Sequence, residues 1–450
     1  MARIFGTDGV RGVANKELTV ELAMNLGKAG AYVLTKEKAH KPTILVGGDT
    51  RISGEMLANA LMAGICSVGA DAVYVGVVPT PAIAYLTRHY GYDAGVVISA
   101  SHNPSEYNGI KFFNGDGYKL SDLLEDEIEE VMRMNSAELP MPVGGEVGHI
   151  TYRYDAKDDY VRFACSLIDL DLSGLKIVVD TAEGASYYTA PKTLESLGAK
   201  PVVIHNHPDG VNINRACGST HMEELKKRVV EEGADLGIAF DGDADRMLAV
   251  DENGNMVDGD QIMAICGLYM RNQGRLKKDT VVATVMSNLG FFRMGEKEGI
   301  NIVRTKVGDR YVLEYMLANG CNLGGEQSGH VIFLDENTTG DGLISALHLL
   351  EVIVKSGKKL SELASVMRVL PQALVNARVS NIKKEYYMDN KVVAAAVADL
   401  EDRFAGAGRV LIRPSGTEPL VRVMIEGDDQ KLIEEEAKKL AEIIEKNIGE

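Results

Sequence analysis

The chain has 450 residues, of which 45% are apolar, 25% charged and 6% aromatic, with no Trp. That is the profile of an ordinary globular protein rather than a disordered or fibrous one, and the length exceeds what one hydrophobic core supports, so three or four domains are expected. A net charge of −17 sets up a field that repels nucleic acid, anionic membrane and phosphorylated metabolites alike, so an anionic substrate must be met by locally clustered Arg and Lys.

The N-terminal stretch MARIFGTDGVRG has no apolar signal-peptide core. No run anywhere reaches the roughly 18 apolar residues of a bilayer span, so a cytoplasmic location is expected. Within that stretch, Phe5 to Gly12 is a Gly-rich loop carrying Arg11. Five scattered cysteines show no CxxC or His/Cys ligand spacing and read as reduced, buried fillers.

One strand–helix–strand pattern then recurs three times. Its first strands are Thr43 to Val46, Leu175 to Val179 and Thr280 to Val285, each followed by a helical stretch. Gly69, Gly198 and Gly299 end those helices, where glycine takes a left-handed conformation without a Cβ clash. A third strand follows a G-x-x-x-G spacing at Gly91/Gly95, Gly233/Gly237 and Gly320/Gly324. The polar loops SASHNP (99–104), DGDADR (241–246) and GEQSGH (325–330) come next. Helices alternating with short buried strands predict α/β units with mixed sheets, whose ligands sit beyond the strand ends. Three copies of one unit put three different polar loops at equivalent places, so a shared cleft can use all of them.

Past residue 370 the pattern changes. Strands are predicted at Leu374 to Val379, Arg409 to Ile412 and Leu420 to Ile425, with helices at Asn390 to Phe404 and Gln430 to Asn447. Ile433, Ala437, Leu440, Ile444 and Ile448 form one apolar stripe on the last helix, so the tail is a small α+β domain. The expected domains are 1–152, 153–256, 257–369 and 370–450.

In DGDADR, Asp241, Asp243 and Asp245 project from a tight turn between two strands. Three such carboxylates repel one another unless a cation sits among them, and oxygen ligands favour Mg²⁺ or Ca²⁺. An EF-hand is excluded, because Arg246 stands where the loop needs Gly and the flanks are strands. A solvated acidic turn is the plainer alternative. Ser101 lies just past a buried strand, beside His102, Asn103 and Pro104, and a serine hydroxyl needs a base, a metal or prior phosphorylation to react. No G-x-S-x-G elbow surrounds it. A phosphoryl group on Ser101 and a metal among the aspartates suit each other, since the cation offsets the dianion. Arg11, His102, Lys111, Arg246 and Arg310 supply the local positive charge.

Glu326 and Ser328, with His330 just beyond, suit the vicinal hydroxyls of a sugar or are simply a polar turn. RPSGTEP (413–419) gathers Arg413, Ser415, Gly416 and Thr417, with Arg422 nearby, as a phosphate clamp or a decorated hairpin. Asp49 and Arg51 in GGDTR are equally consistent with a structural ion pair.

Taken in order, FGTDGVRG, SASHNP, NGIK, DGDADR, VGDRYV, GEQSGH and RPSGTEP make the chain resemble the α-D-phosphohexomutase superfamily over its whole length. The resemblance implies three related α/β domains and a C-terminal α+β domain around a central cleft. It implies a phosphorylated Ser101, Mg²⁺ held by Asp241, Asp243 and Asp245 with Ser101, and proton-transfer candidates among His102, Lys111, Arg11, Arg246 and His330. It further implies substrate contacts from Glu326, Ser328, Lys306, Asp309 and Arg310, and a phosphate clamp at Arg413, Ser415, Gly416, Thr417 and Arg422. GEQSGH is similar to the glucosamine-specific branch, whose product feeds UDP-N-acetylglucosamine and cell-wall precursors. Ala244 departs from the family, where Gly is common. The expected partners are a phosphosugar (glucosamine phosphate) and a second copy of the chain in a homodimer, with neither nucleic acid nor membrane. Three rivals remain: a phosphomannomutase/phosphoglucomutase of the same superfamily, a haloacid-dehalogenase-type phosphotransferase with Asp241 as nucleophile, and a metal-regulated binding module.

Overall fold

The computed structural model describes residues 3–6, 8–133, 139–415 and 418–449. The chain forms two compact units, residues 1–286 with 299–366, and residues 287–298 with 367–450. Among the described residues no helix is long and apolar enough to cross a membrane.

The larger unit holds three sheets with one shared order. In the first, Thr43–Gly48 lies between parallel partners Asp71–Val77 and Ala94–Ile98, and Tyr107–Asn114 runs antiparallel beside the latter. The second repeats this with Ile177–Asp180 between Val202–Ile204 and Leu236–Phe240, and Met247–Asp251 outside. The third uses Thr280–Thr284, Asn301–Thr305, Leu323–Gly325 and Val331–Phe333 in the same places. Val10–Val13 and Ile150–Tyr152 extend the first sheet, and Met256–Val257 extends the second. Each polar loop therefore joins a third strand to its antiparallel neighbour, so the three loops are structurally equivalent.

The G-x-x-x-G spacing has a physical reason that repeats with the fold. Gly91, Gly233 and Gly320 close their helices in the left-handed conformation, at φ 65°, 55° and 68°. Gly95, Gly237 and Gly324 lie in the strand beneath that helix. A Cβ there would stand 2.3 Å from Thr87 Oγ1, 2.6 Å from Val229 Cγ2 and 2.7 Å from Met316 Sδ, always eight residues back along the chain. Glycine lets helix and strand touch, and that contact fixes where the strand, and the loop after it, emerge.

The smaller unit has an antiparallel sheet in which Leu420–Glu426 lies between Gln372–Arg378 and Arg409–Pro414. Asn390 and Asp429 cap its helices Lys391–Phe404 and Gln430–Ile448. Ile433, Ala437, Leu440 and Ile444 are buried against Val393, Val397 and Leu400, with Ile448 partly buried at the end of the stripe. The helix Leu289–Glu298 belongs to this unit too, tied by Leu289 N to Glu426 Oε1 at 3.1 Å and by Asn288 Nδ2 to the Leu370 carbonyl at 2.9 Å. The sequence pattern offers no sign of that attachment, because both bonds depend on residues over 80 positions away.

Candidate active site

Two of the equivalent loops meet. Ser101 Oγ donates a hydrogen bond to Asp241 Oδ2 at 2.7 Å, and both residues are buried. Ser101 takes a left-handed backbone at φ 52°, which a non-glycine residue holds only when its surroundings impose it. The imposing groups are Arg51 and Asn214. Arg51, fully buried in an ion pair with Asp49 at 2.9 Å, donates to the carbonyls of Ser101 at 2.9 Å, Asn103 at 2.7 Å and Pro104. Asn214 Nδ2 reaches the Ser101 and Asn103 carbonyls at 2.9 and 3.0 Å. The Asp49–Arg51 pair thus has a specific task, to grip the serine loop. Asn214 escaped the sequence reading because an Asn among turn-forming residues carries no distinguishing signal.

Asp241, Asp243 and Asp245 present carboxylate oxygens within 4.8 Å of one another, all buried. Burial, then Asp245 and Asp243, hold the Asp241 carboxyl well above the usual range, and burial with Asp243 raises Asp245. Asp243 goes the other way: against the upward push of burial, the Lys111 ammonium at 3.0 Å keeps it low. Asp243 Oδ1 and Asp245 Oδ1 have no hydrogen-bond partner among the described residues. Orphaned hard oxygens around mutually repelling carboxylates fit a divalent cation, so the cluster suits a metal ion. Ala244, inside this turn, sits at φ 57°, which explains why Gly is favoured there and marks a strain of about 1–2 kcal/mol that this chain carries.

From Asp243 runs a row of alternating charge that the motifs did not reveal. Lys111 Nζ bridges Asp243 and Asp8 at 3.0 and 2.9 Å, and Lys119 Nζ bridges Asp8 and Asp309 at 2.8 and 2.6 Å. Against burial, Lys111, Lys119 and Arg11 hold Asp8 well below the carboxylate range, while Asp309 and Asp8 hold Lys119 well above the lysine range. The row is locked in its ionised form and supplies fixed charge rather than mobile protons. Asp309 and Lys111 also line a cavity of about 190 Å³, together with Asp8, Lys119 and His330.

The remaining candidates divide. His102 has an exposed edge, and desolvation of the rest of its ring, then Arg246 and Arg11, push it down to about 4, so the imidazole is neutral. His330 is buried beside Asp309 and Asp245 at 3.7 and 3.9 Å, with neither ring nitrogen hydrogen-bonded among the described residues. Arg246 donates its backbone N–H to Asp241 at 3.2 Å, and its Nε lies 3.9 Å from Asp245; among the described residues neither that Nε nor Ser328 Oγ has a hydrogen-bond partner. Arg11 pairs with Asp8. Glu326 Oε1 accepts from Gly308 N at 3.0 Å. Arg310, which lines the same cavity, pairs with Asp122 and Glu314, and exposed Lys306 lies 5.7 Å from the Tyr311 ring centre. A helical i,i+4 partner captures Arg310.

In the smaller unit, Arg413 stands directly opposite Arg422 across the sheet, and burial followed by Arg422 pushes the Arg413 guanidinium down. Arg422 also bonds Glu418 at 2.7 Å, and Ser415 Oγ accepts from Glu418 N at 3.2 Å. Like charges facing across a ladder are destabilising unless an anion joins them. Gly416 and Thr417 lie outside the described residues.

A second group, Asp180, His205 and Cys217, also has metal-like spacing. Its Asp180 oxygens accept from Ala182 N at 2.8 Å and Gly218 N at 2.9 Å, and His205 spans Asp180 and Glu224 at 3.0 and 3.1 Å. Burial and the surrounding acids push the Cys217 thiol up to about 12. Filled acceptors and a protonated thiol make this an ion-paired latch.

Four family models match in order, all described as phosphoglucomutase/phosphomannomutase: α/β/α domain I over residues 2–138, domain II over 158–254, domain III over 258–370 and the C-terminal domain over 374–443. The chain is 63% identical over 449 residues to the phosphoglucosamine mutase of Acetivibrio thermocellus, covering 100% of both chains, and 61% identical to that of Clostridium acetobutylicum, covering 99% of both. Among solved structures it resembles a phosphoglucomutase/phosphomannomutase family protein from Burkholderia thailandensis, with a TM-score of 0.82 at 23% identity over 99% of this chain and 98% of that one. It also resembles N-acetylphosphoglucosamine mutase of Aspergillus fumigatus, solved with GlcNAc-6P and magnesium, at a TM-score of 0.68 and 16% identity over 98% and 95%. At such identities these two structures speak for the fold alone.

Proposed function

The chain belongs to the phosphoglucomutase/phosphomannomutase family, and from that premise we propose that it is a phosphoglucosamine mutase, interconverting glucosamine 6-phosphate and glucosamine 1-phosphate. Ser101, phosphorylated, donates its phosphoryl group to the free sugar oxygen: the Oγ–P bond breaks, a new P–O bond forms, the sugar hydroxyl proton passes to a base, and the departing Ser101 Oγ takes up a proton to become the hydroxyl. The resulting bisphosphate reverses its orientation, and its other phosphoryl group returns to Ser101. Asp241, Asp243 and Asp245, with an oxygen on Ser101, are the proposed ligands of Mg²⁺, which when bound neutralises phosphoryl charge.

The supporting observation is the Ser101–Asp241 hydrogen bond, which brings the phosphoryl-accepting hydroxyl against the carboxylate cluster. Neutral His102 is the proposed proton acceptor beside it, with Lys111 and Arg246 as fixed positive charge and Arg11 and His330 close by. Glu326 and Ser328 offer the sugar an acceptor and a free hydroxyl. Arg413, Ser415, Gly416, Thr417 and Arg422 are the proposed clamp for the non-reacting phosphate. Arg310, at the cavity, and Lys306 are further proposed substrate contacts.

A coupled assay of glucosamine 6-phosphate against glucose 6-phosphate and mannose 6-phosphate tests the assignment. The amino sugar is expected to turn over fastest. Equal rates on all three would remove the amino-sugar assignment while leaving the phosphohexomutase chemistry.

A further inference from the structure

The aspartate turn is gripped by two helices that belong to the other two repeats. Thr80 opens the helix Thr80–Tyr90 in the first repeat, and Gly342 opens the helix Gly342–Ser356 in the third. The first N–H of a helix has no partner within that helix. Here Thr80 N donates to the Asp243 carbonyl at 2.9 Å and Gly342 N to the Ala244 carbonyl at 3.0 Å, consecutive residues of DGDADR. A Cβ on Gly342 would stand 2.6 Å from the Arg246 carbonyl oxygen and 2.9 Å from that of Ala244, so the close approach needs glycine.

The two helix starts are also tied to each other. Asn337 Nδ2 donates to the Pro81 carbonyl at 3.1 Å and to Asp341 Oδ2 at 2.9 Å. Asp341, next to Gly342, accepts further bonds from Tyr160 at 2.8 Å and from Ile344 N at 3.0 Å. A closed ring of contacts thus runs from Asp243 through Thr80, Pro81, Asn337 and Asp341 to Gly342 and back to Ala244. Thr80, Asn337 and Asp341 are all buried.

One side chain of the ring touches a carboxylate of the cluster. Thr80 Oγ1 donates to Asp243 Oδ2 at 2.7 Å, the oxygen that also accepts from Lys111 Nζ at 3.0 Å. Asp243 Oδ1 is buried and has no hydrogen-bond partner among the described residues. With one oxygen held by two donors the carboxylate keeps a single orientation, and its other oxygen stays free for an ion.

We propose that Thr80 is a positioning residue of the metal centre: its hydroxyl and its N–H fix Asp243 so that Oδ1 is held for the cation. The inference rests on reading Asp241, Asp243 and Asp245 as ligands of a divalent cation. In the competing role Thr80 only packs the helix start against the turn, and its hydroxyl serves stability alone.

The experiment titrates Mg²⁺ calorimetrically into chelator-stripped full-length enzyme and, separately, records Tm in chelator. Thr80→Val keeps the shape and the N–H but loses the hydroxyl, and is expected to weaken Mg²⁺ binding about tenfold. Thr80→Ser keeps the hydroxyl, so its affinity should stay within about threefold of the parent's, far from the loss typical of a missing outer partner. Should the Val variant not fold, Thr80→Ala against Thr80→Ser isolates the same hydroxyl, and Ala should be the weaker binder by about tenfold. Parental Mg²⁺ affinity without the hydroxyl, with only Tm lowered, assigns Thr80 to packing and overturns the inference, as does an equal loss of affinity in the Ser variant. Asp245→Asn separates the two levels: if it weakens Mg²⁺ binding while loss of the hydroxyl does not, the metal centre stands and the Thr80 role fails. If neither change alters Mg²⁺ binding, or the parent binds none, the metal reading fails and the Thr80 role with it.

Discussion

Ser101 and Asp241 are 140 positions apart, on different copies of one structural repeat, yet their side chains share a 2.7 Å hydrogen bond. Each sits in the loop between the third strand of its sheet and the antiparallel neighbour, so duplication of the unit makes the pairing possible. If Ser101 carries the phosphoryl group, Ser101→Ala lowers turnover by more than roughly a thousandfold, the scale of losing a covalent step. Intact-mass measurement should find the phosphoryl adduct on the parent enzyme and none on the variant. A dehalogenase-type route through Asp241 instead leaves the Ala variant active.

The aspartate cluster is held together at the expense of stability when no cation is bound. Asp245→Asn removes one of three repelling buried carboxylates, so the metal-free protein should gain about 1–2 kcal/mol while losing the Tm rise that Mg²⁺ gives the parent. Melts in chelator and in excess Mg²⁺ read both effects. A variant less stable than its parent in chelator would mean that the carboxylates are satisfied by protein groups alone.

How far the sequence could be read follows from what each feature depends on. The three loops, the glycines and the apolar stripe of the last helix depend on spacing along the chain, and spacing is visible. Asp8 and Lys119 are different: each becomes part of the charge row only because Lys111 and Asp309 arrive from elsewhere, and an isolated Asp or Lys looks the same whether solvated or paired. Arg310 is similar: its motif is visible, but its pairing with Asp122 and Glu314 at the cavity is not. Lys384 sits in an ordinary polar stretch, and only the fold buries it.

Asn214 should matter for rate more than for folding. It adopts φ 58°, so Asn214→Gly leaves the backbone unstrained while removing both bonds to the Ser101 and Asn103 carbonyls. Losing them is expected to cost about 1–3 kcal/mol in holding the serine loop, seen as a fall in kcat of roughly tenfold or more with KM little changed. A variant with parental kcat would leave Arg51 as the sole grip on the loop.

The latch at His205 predicts a pH dependence of stability. The Asp180 carboxylate 3.0 Å from its Nδ1, then against partial burial the charge of Glu224, raise the imidazole from 6.5 to about 9. Because the folded value is the higher, its contribution is complete below pH 6.5 and disappears as pH rises through 9. Discounted for solvent at its outer edge, this is about 1–2 kcal/mol. His205→Asn tolerates the left-handed φ of 49° and should flatten the fall in Tm between those two pH values. An unchanged slope would assign the fall to other groups.

Gly237 joins the fold to the site, because the strand Leu236–Phe240 runs directly into Asp241. A Cβ on Gly237 would stand 2.6 Å from Val229 Cγ2 and 2.9 Å from Leu225 Cδ1, so Gly237→Ala must push helix from strand at a cost of about 1–3 kcal/mol. Gly233→Ala is the control: nothing lies within 4 Å of its added Cβ, so only the left-handed φ of 55° is strained, by about 1–2 kcal/mol. The two variants are thus similar in stability but not in function. Displacing the strand moves the aspartates, so Gly237→Ala should weaken the Mg²⁺-induced rise in Tm while Gly233→Ala retains it. Adding Val229→Ala removes the methyl group that the new Cβ meets, and the pair should cost less than the sum of the single changes by about 1 kcal/mol. Strict additivity in that cycle, together with an unaltered Mg²⁺ response, would separate the helix–strand contact from the positioning of the metal ligands.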